Sequence, residues 1–270
     1  MPVIAVVNRK GGSGKSTLAA HLATWCVRQG HTVMLADADR QQSSRAWLRR
    51  RSSSLPAITP WTMDQNVLKI PSGISHAVLD TPGGLQGFEL ARVVMSADAI
   101  VIPVGASLLD RESAAASHAE LMTQPRVASG RCRVGVVGMR IDARTRAADT
   151  LRDWAKALGV EFLGILRNAQ TYVQSHDAGT TIFDLPPQQA QADLTQWQPI
   201  IDWLTPLLAT PRMGDVPGAA PRVDSLIPAH EPLVHGARLG VLSSARPETH
   251  RPPARTLAHA QRAVPQFLKR

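Results

Sequence analysis

Asn8–Thr17 reads NRKGGSGKST, a run that puts three glycines, two lysines and three hydroxyls within ten residues. Small residues in such a loop let several backbone N–H groups turn toward one anion, and a lysine beside them adds a full positive charge. The chemistry in view is phosphate binding. In the common loop G-x-x-x-x-G-K-[ST], the lysine reaches the β and γ phosphates and the next hydroxyl serves Mg2+. Lys15 and Ser16 take those places here, but position 9, where the pattern expects glycine, is Arg9, and Lys10 supplies a second ammonium. The loop has given up a glycine and gained a cation.

Carboxylates and arginines follow at intervals. VMLADADRQQSS (33–44) ends an apolar run in Asp37 and Asp39, and HAVLDTPGG (76–84) ends another in Asp80. An acid at the carboxyl end of a buried strand lies where ligands bind in open α/β sheets. In GMRIDARTRAADTLRDW (138–154), Arg144 and Arg146 stand at or near the start of a helix. The helix macrodipole disfavours cations there, so an anionic partner, nucleotide or DNA, competes with plain solvation as the reason for them. Arg167 in GILRNAQTYVQSHDAGTTIFD is a further candidate. Arg49, Arg50 and Arg51 in AWLRRRSSS read as a solvated helix end, with a DNA role as the alternative.

KGGSGKST resembles the deviant Walker A motif, KGGxGK[ST], of the ParA/MinD family of ATPases. The resemblance implies an ATPase that uses ATP and Mg2+, with ATP held by Lys10, Gly11, Gly12, Ser13, Gly14, Lys15, Ser16, Thr17 and Arg140. Lys10 matches the signature lysine, which in that family crosses a nucleotide-sandwiched dimer to the partner's phosphates. That gives the extra cation a purpose, since charge building on the γ-phosphoryl group needs offsetting. The segment 33–44 is similar to the family's D-x-D-P-Q-x-S, with Arg40 in place of the proline. By that likeness Asp39 orients the attacking water and Asp37 lies near the metal's water shell. Asp80 matches a Walker B carboxylate, and Thr81–Gly84 a switch loop that senses the γ-phosphate. The implied catalytic set is therefore Lys10, Lys15 and Asp39, and the implied metal set Ser16, Asp37 and Asp80. Arg144, Arg146 and Arg167 are the implied DNA contacts. Position 139, where many relatives carry an adenine-contacting Asn, is Met.

What the family implies is a small ParA-type ATPase that forms an ATP-dependent homodimer, binds DNA without reading sequence and positions DNA or another cellular cargo. A ParB-like or other adaptor would stimulate its weak hydrolysis, in the cytoplasm and on the nucleoid. No DNA-binding domain precedes the first strand, so operator-specific autorepression is not expected. The alternative is a MinD-like membrane-cycling ATPase, which needs a C-terminal amphipathic helix. The chain ends RAVPQFLKR, where Pro265 would interrupt one. Cys132, in SGRCRVG, lacks the context for an iron–sulfur cluster. A kinase of this superfamily with a tyrosine-rich tail is not expected, because Tyr172 is the only tyrosine.

The elements that must carry these residues can be read from patterning. Apolar runs at 3–7, 32–36, 76–80, 99–104, 133–139 and 161–166 lack alternation, as strands covered on both faces should. Helical patterns fall at 14–29, 86–96, 108–124, 145–158 and around 188–208. Ser107 and Asp110 form a capping pair, and Ala147, Leu151, Trp154, Ala155 and Leu158 a stripe. Strand–helix repetition predicts a doubly wound, mostly parallel α/β sheet with helices on both faces, a P-loop NTPase domain over 1–209.

Residues 210–270 hold nine of the 20 prolines, and there nine Lys/Arg face four Asp/Glu. They are expected to form a basic, disordered tail. The whole chain carries a net +9, which favours polyanionic partners, and its 44% hydrophobic residues suffice for a core. Cys26 and Cys132 lack metal-ligand spacing and read as reduced, buried thiols. No apolar run reaches membrane-span length, and the N-terminus has no signal-peptide pattern.

Overall fold

A computed structural model describes residues 1–62 and 71–209, and the tail expected from residue 210 lies outside it. Seven strands occur among the described residues. They are β1 (Val3–Val6), β2 (Val33–Asp37), β3 (Ile58–Thr62), β4 (His76–Asp80), β5 (Ala99–Val104), β6 (Arg133–Met139) and β7 (Glu161–Leu166). All pair in parallel, in the order β3-β2-β4-β1-β5-β6-β7. The chain leaves β1 toward one edge through β2 and crosses to the other side between β4 and β5. The strand order reverses at β1, which is where ligands bind in such sheets.

The helices are α1 (Lys15–Arg28), α2 (Ser43–Arg50), α3 (Gly87–Ser96), α4 (Leu108–Met122), α5 (Pro125–Ala128), α6 (Arg146–Leu158), α7 (Gln170–Asp177) and α8 (Pro187–Ala209), with a 3-10 turn at Ile182–Asp184. Pleating sends Val3 and Ala5 into one core with Leu90, Val94, Leu121 and Leu151, which lie on α3, α4 and α6. Ile4 and Val6 enter a second core with Leu18, Leu22, Trp47, Trp197 and Ile200, from α1, α2 and α8. A strand apolar at every position is thus a strand buried twice. Cys26 and Cys132 are free and buried, and burial pushes both thiols up to about 12.

All six expected strands form, and β3 is an addition. ITPWT carries Pro60, which has no N–H for a central ladder. At the edge, with only β2 beside it, that lack costs nothing. The helices α2, α5 and α7 are also additions, each of eight residues or fewer. Ser107 and Asp110 form the expected capping box of α4. On α6 the innermost residues are Ala148, Leu151 and Ala155, with Ala147, Trp154 and Leu158 packed at its margin.

Candidate nucleotide site

The phosphate loop begins where β1 ends, and its leading residues are tied down from the side. Asn8 is buried, and its Nδ2 donates to the Pro103 carbonyl (2.7 Å) while its Oδ1 accepts the Lys10 amide (2.9 Å). Arg9 pairs with Glu120, and Lys10 with Asp110, both on α4. Gly14 then turns the chain into α1 with φ +99°, and a Cβ there would lie 2.9 Å from the Met139 methyl carbon. The left-handed φ demands glycine at that position, while the Met139 methyl, at the end of a flexible side chain, would only have to swing aside. Lys15 opens α1 and is 7% exposed, with its ammonium 3.1 Å from the Lys10 carbonyl. Burial lowers its pKa, against the pull of Asp80 and Asp39.

Across the loop stand the carboxylates. Asp80 at the end of β4 is fully buried; its Oδ2 accepts the Ser44 hydroxyl (2.7 Å), and its Oδ1 has no partner among the described residues. Burial raises its pKa to about 6, although the Ser44 and Ser16 hydroxyls and Lys15 oppose the shift. Asp37, at the end of β2, accepts the backbone N–H groups of Asp39 and Arg45 (both 3.0 Å). Both its oxygens are engaged in shaping the turn that presents Asp39, and burial raises its pKa. Asp39 itself borders the open cavity and accepts the Gln41 amide (3.0 Å).

That cavity measures about 690 Å3 and is lined by Gly11, Gly12, Gly14–Thr17, Asp39, Pro82–Leu85, Glu89 and Arg140 among others. Lys10 is not part of its wall. The donors fit a magnesium ion: an orphaned carboxylate oxygen on Asp80 and the Ser16 hydroxyl are hard oxygen ligands, beside a loop built for phosphate.

Residues 4–182 match the CobQ/CobB/MinD/ParA nucleotide binding domain. The chain belongs to that family. It is 37% identical over 113 residues to the maintenance of carboxysome distribution protein A of Gloeobacter kilaueensis, which covers 40% of this chain. The match spans about half (51%) of that relative. A protein described as a plasmid partition protein of Borrelia burgdorferi, solved with AMPPNP, superposes with a TM-score of 0.57 over 75% of this chain and 99% of its own, at 16% identity. The MinD cell division protein of Aquifex aeolicus gives 0.55 over 72% and 94%, at 21% identity. These two likenesses show the fold.

Within this ParA/MinD frame the arginines divide. Arg140 takes φ +58° at the end of β6, and its guanidinium lies 3.5 Å from the Gly12 carbonyl, over the cavity mouth. Arg144 folds back on Asp142 and stays exposed, and exposed Arg146 begins α6. Arg167 is bound twice to Asp193 of α8 (2.6 and 3.0 Å), a carboxylate with no exposure. This arginine holds α8 against β7, a structural duty that the sequence did not reveal. A second cleft of about 200 Å3 shares Thr17 and Arg140 with the first, and Met139, Leu166, Asn168, Ala169 and Tyr172 also line it. Ser13 faces a third, between the loop and Asp110. Arg51, read as a solvated helix end, is instead paired with the buried carboxylate of Asp184.

Sequence reasoning left Asn8, Ser44, Ser113, Ser117 and Glu120 without roles. Asn8 and Ser44 lie inside the quoted motifs and could have been found there. The α4 residues are more than a hundred positions from the loop they hold and carried no local signal.

Proposed function

We propose that this chain is a ParA-type ATPase that positions DNA or another cellular cargo. In this reading ATP binds in the larger cavity, with Lys15 and the loop amides on the phosphates and the base in the apolar cleft beside Thr17 and Met139. Ser16 and Asp80 hold Mg2+, with Asp37 behind them; the bound ion neutralises charge on the phosphates. Asp39 orients the attacking water. Water's oxygen bonds to the γ-phosphorus, the bond to the bridging oxygen breaks, that electron pair leaves with ADP, and the water's second proton passes to a phosphate oxygen or to solvent. The observation that carries the proposal is the placing of the two lysines. Lys15 lines the cavity of its own loop, whereas Lys10 does not and pairs with Asp110, its side chain part-exposed. A part-exposed cation outside its own cavity is suited to a neighbour's nucleotide, which supports an ATP-dependent homodimer whose formation and hydrolysis are coupled.

The ATP-bound dimer binds DNA through phosphates, cytoplasmic and nucleoid-associated, and a ParB-like or other adaptor stimulates its slow turnover. Exposed Arg144 and Arg146 are the better DNA candidates, because the partner of Arg144, Asp142, is solvated whereas Arg167 is held by the fully buried Asp193. The relative named for carboxysome distribution makes a protein microcompartment one cargo to test. No described helix is long and apolar enough to cross a membrane, and the C-terminal stretch that membrane cycling requires lies outside the described residues.

The test is a gel shift on random-sequence duplex DNA with ATP, ADP or no nucleotide, at two salt concentrations. Binding that needs ATP, weakens with salt and disappears in Lys10→Ala is the expected result. Equal binding in all three nucleotide states would contradict the cycle.

A further inference from the structure

Both cations that lead the phosphate loop, Arg9 and Lys10, meet carboxylates on α4. That helix turns a polar row, Ser113, Ser117 and Glu120, toward the loop at helical spacing. The Ser113 hydroxyl donates to Asn8 Oδ1 (3.1 Å), and the Ser117 hydroxyl accepts the Arg9 amide (3.2 Å). Glu120 goes further. One carboxylate oxygen takes the Arg9 guanidinium, and the other accepts the N–H of Gly87 (2.6 Å), the first residue of α3. Gly87 is where the segment that follows Asp80 ends. A single side chain therefore joins the two loops that border the triphosphate cavity. They also touch directly, since the Gly84 N–H donates to the Arg9 carbonyl (2.7 Å). The Gly87 amide and Arg9 hold the Glu120 carboxyl below its ordinary value, so it is ionised at neutral pH.

We infer that Glu120 is a positioning residue that ties residues 81–87 to the phosphate loop, so that both close on a γ-phosphate as one unit. The inference rests on the ATPase reading above. It also gives Arg9 a purpose: the glycine of the common loop has been replaced by the side chain that receives the tie. A charged hydrogen bond shared between two loops fixes their relative place more firmly than the backbone contact alone.

The experiment uses the full-length chain as wild type, Glu120→Gln, Arg9→Ala and Arg9→Lys. Mg-ADP affinity, thermal unfolding, ATP turnover, and amide hydrogen exchange with ADP or AMPPNP are measured on each. Glu120→Gln keeps an acceptor for Gly87 and loses the charged partner of Arg9. The expected result is ADP affinity within about twofold of wild type and turnover down roughly tenfold. In wild type, AMPPNP protects Gly84–Gly87 and Asn8–Lys10 together; in Glu120→Gln the two regions respond separately. Arg9→Ala reproduces the loss, and Arg9→Lys recovers about a third of the rate or more, because it restores a cation opposite Glu120.

Wild-type turnover in Glu120→Gln would overturn the inference. So would a joint fall in ADP affinity and melting temperature, which would leave Glu120 a purely structural support. A wild type that binds AMPPNP without hydrolysing ATP would sink the ATPase reading alone, because exchange still reports the coupling. A wild type without AMPPNP-dependent protection would overturn both.

Discussion

On one side of β1, the strands β2 and β4 bring Asp37, Asp39 and Asp80 to the phosphate loop; on the other, β6 and β7 bring Arg140, Arg144 and Arg167. The acidic side is drawn inward. Asp37 is tied to backbone amides, and Asp80 is sealed under Ser44 with one oxygen left over. The basic side is drawn outward or already paired: Arg140 hangs over the mouth, Arg144 holds Asp142 in solvent, and Arg167 is spent on Asp193. The difference is one of solvation. Carboxylates meant for a cation can be buried at the cost of a raised pKa, while arginines keep their charge and must find water or a carboxylate.

The largest effect should come from the acidic side. Asp80→Asn is expected to cut Mg-dependent ATP turnover by about a hundredfold or more while making the fold more stable, by about 2 kcal/mol at pH 7. The sign follows from the raised pKa. Between its ordinary value near 3.8 and about 6, the folded chain keeps a proton that the unfolded chain has released, so this group's contribution falls as pH rises. The stability gap between wild type and Asp80→Asn, measured by thermal unfolding across pH 4–8, should be widest above pH 6 and close near 4. A gap independent of pH would break the contrast between the two sides.

Next comes Arg167→Ala, which strands the buried Asp193 carboxylate. It should cost about 2 kcal/mol in urea unfolding, with Asp193→Asn in the same chain recovering part of it. Arg144→Ala, with a solvated partner, should leave the melting temperature unchanged. If it contacts DNA, the slope of log affinity against log salt should drop by about 1. The smallest effect is expected from Arg140→Ala, a loss of a few-fold in triphosphate affinity by calorimetry with ADP affinity unchanged.

These contrasts also mark how far the chain could be read without coordinates. Six strands and the chemistry at the end of β1 were legible because short apolar runs, glycines and a lysine act over a few residues. Edge strand β3 was hidden by Pro60, which excludes a central strand and suits an edge, and an edge is defined only by the finished sheet. The pairing of Arg167 was hidden because Asp193, 26 residues away, becomes its neighbour only once α8 docks on β7. Glu120 was invisible for the same reason, since its two partners come from loops 33 and 111 positions distant.

If Lys10 serves a second copy's nucleotide, the association state must follow both the nucleotide and that lysine. Sedimentation of the full-length chain with Mg-AMPPNP and with Mg-ADP, for wild type and Lys10→Ala, measures this. A dimer is expected for wild type with AMPPNP and monomers in the other three cases, with AMPPNP still bound by the variant. The same mass with both nucleotides, or dimers undiminished in Lys10→Ala, would contradict it.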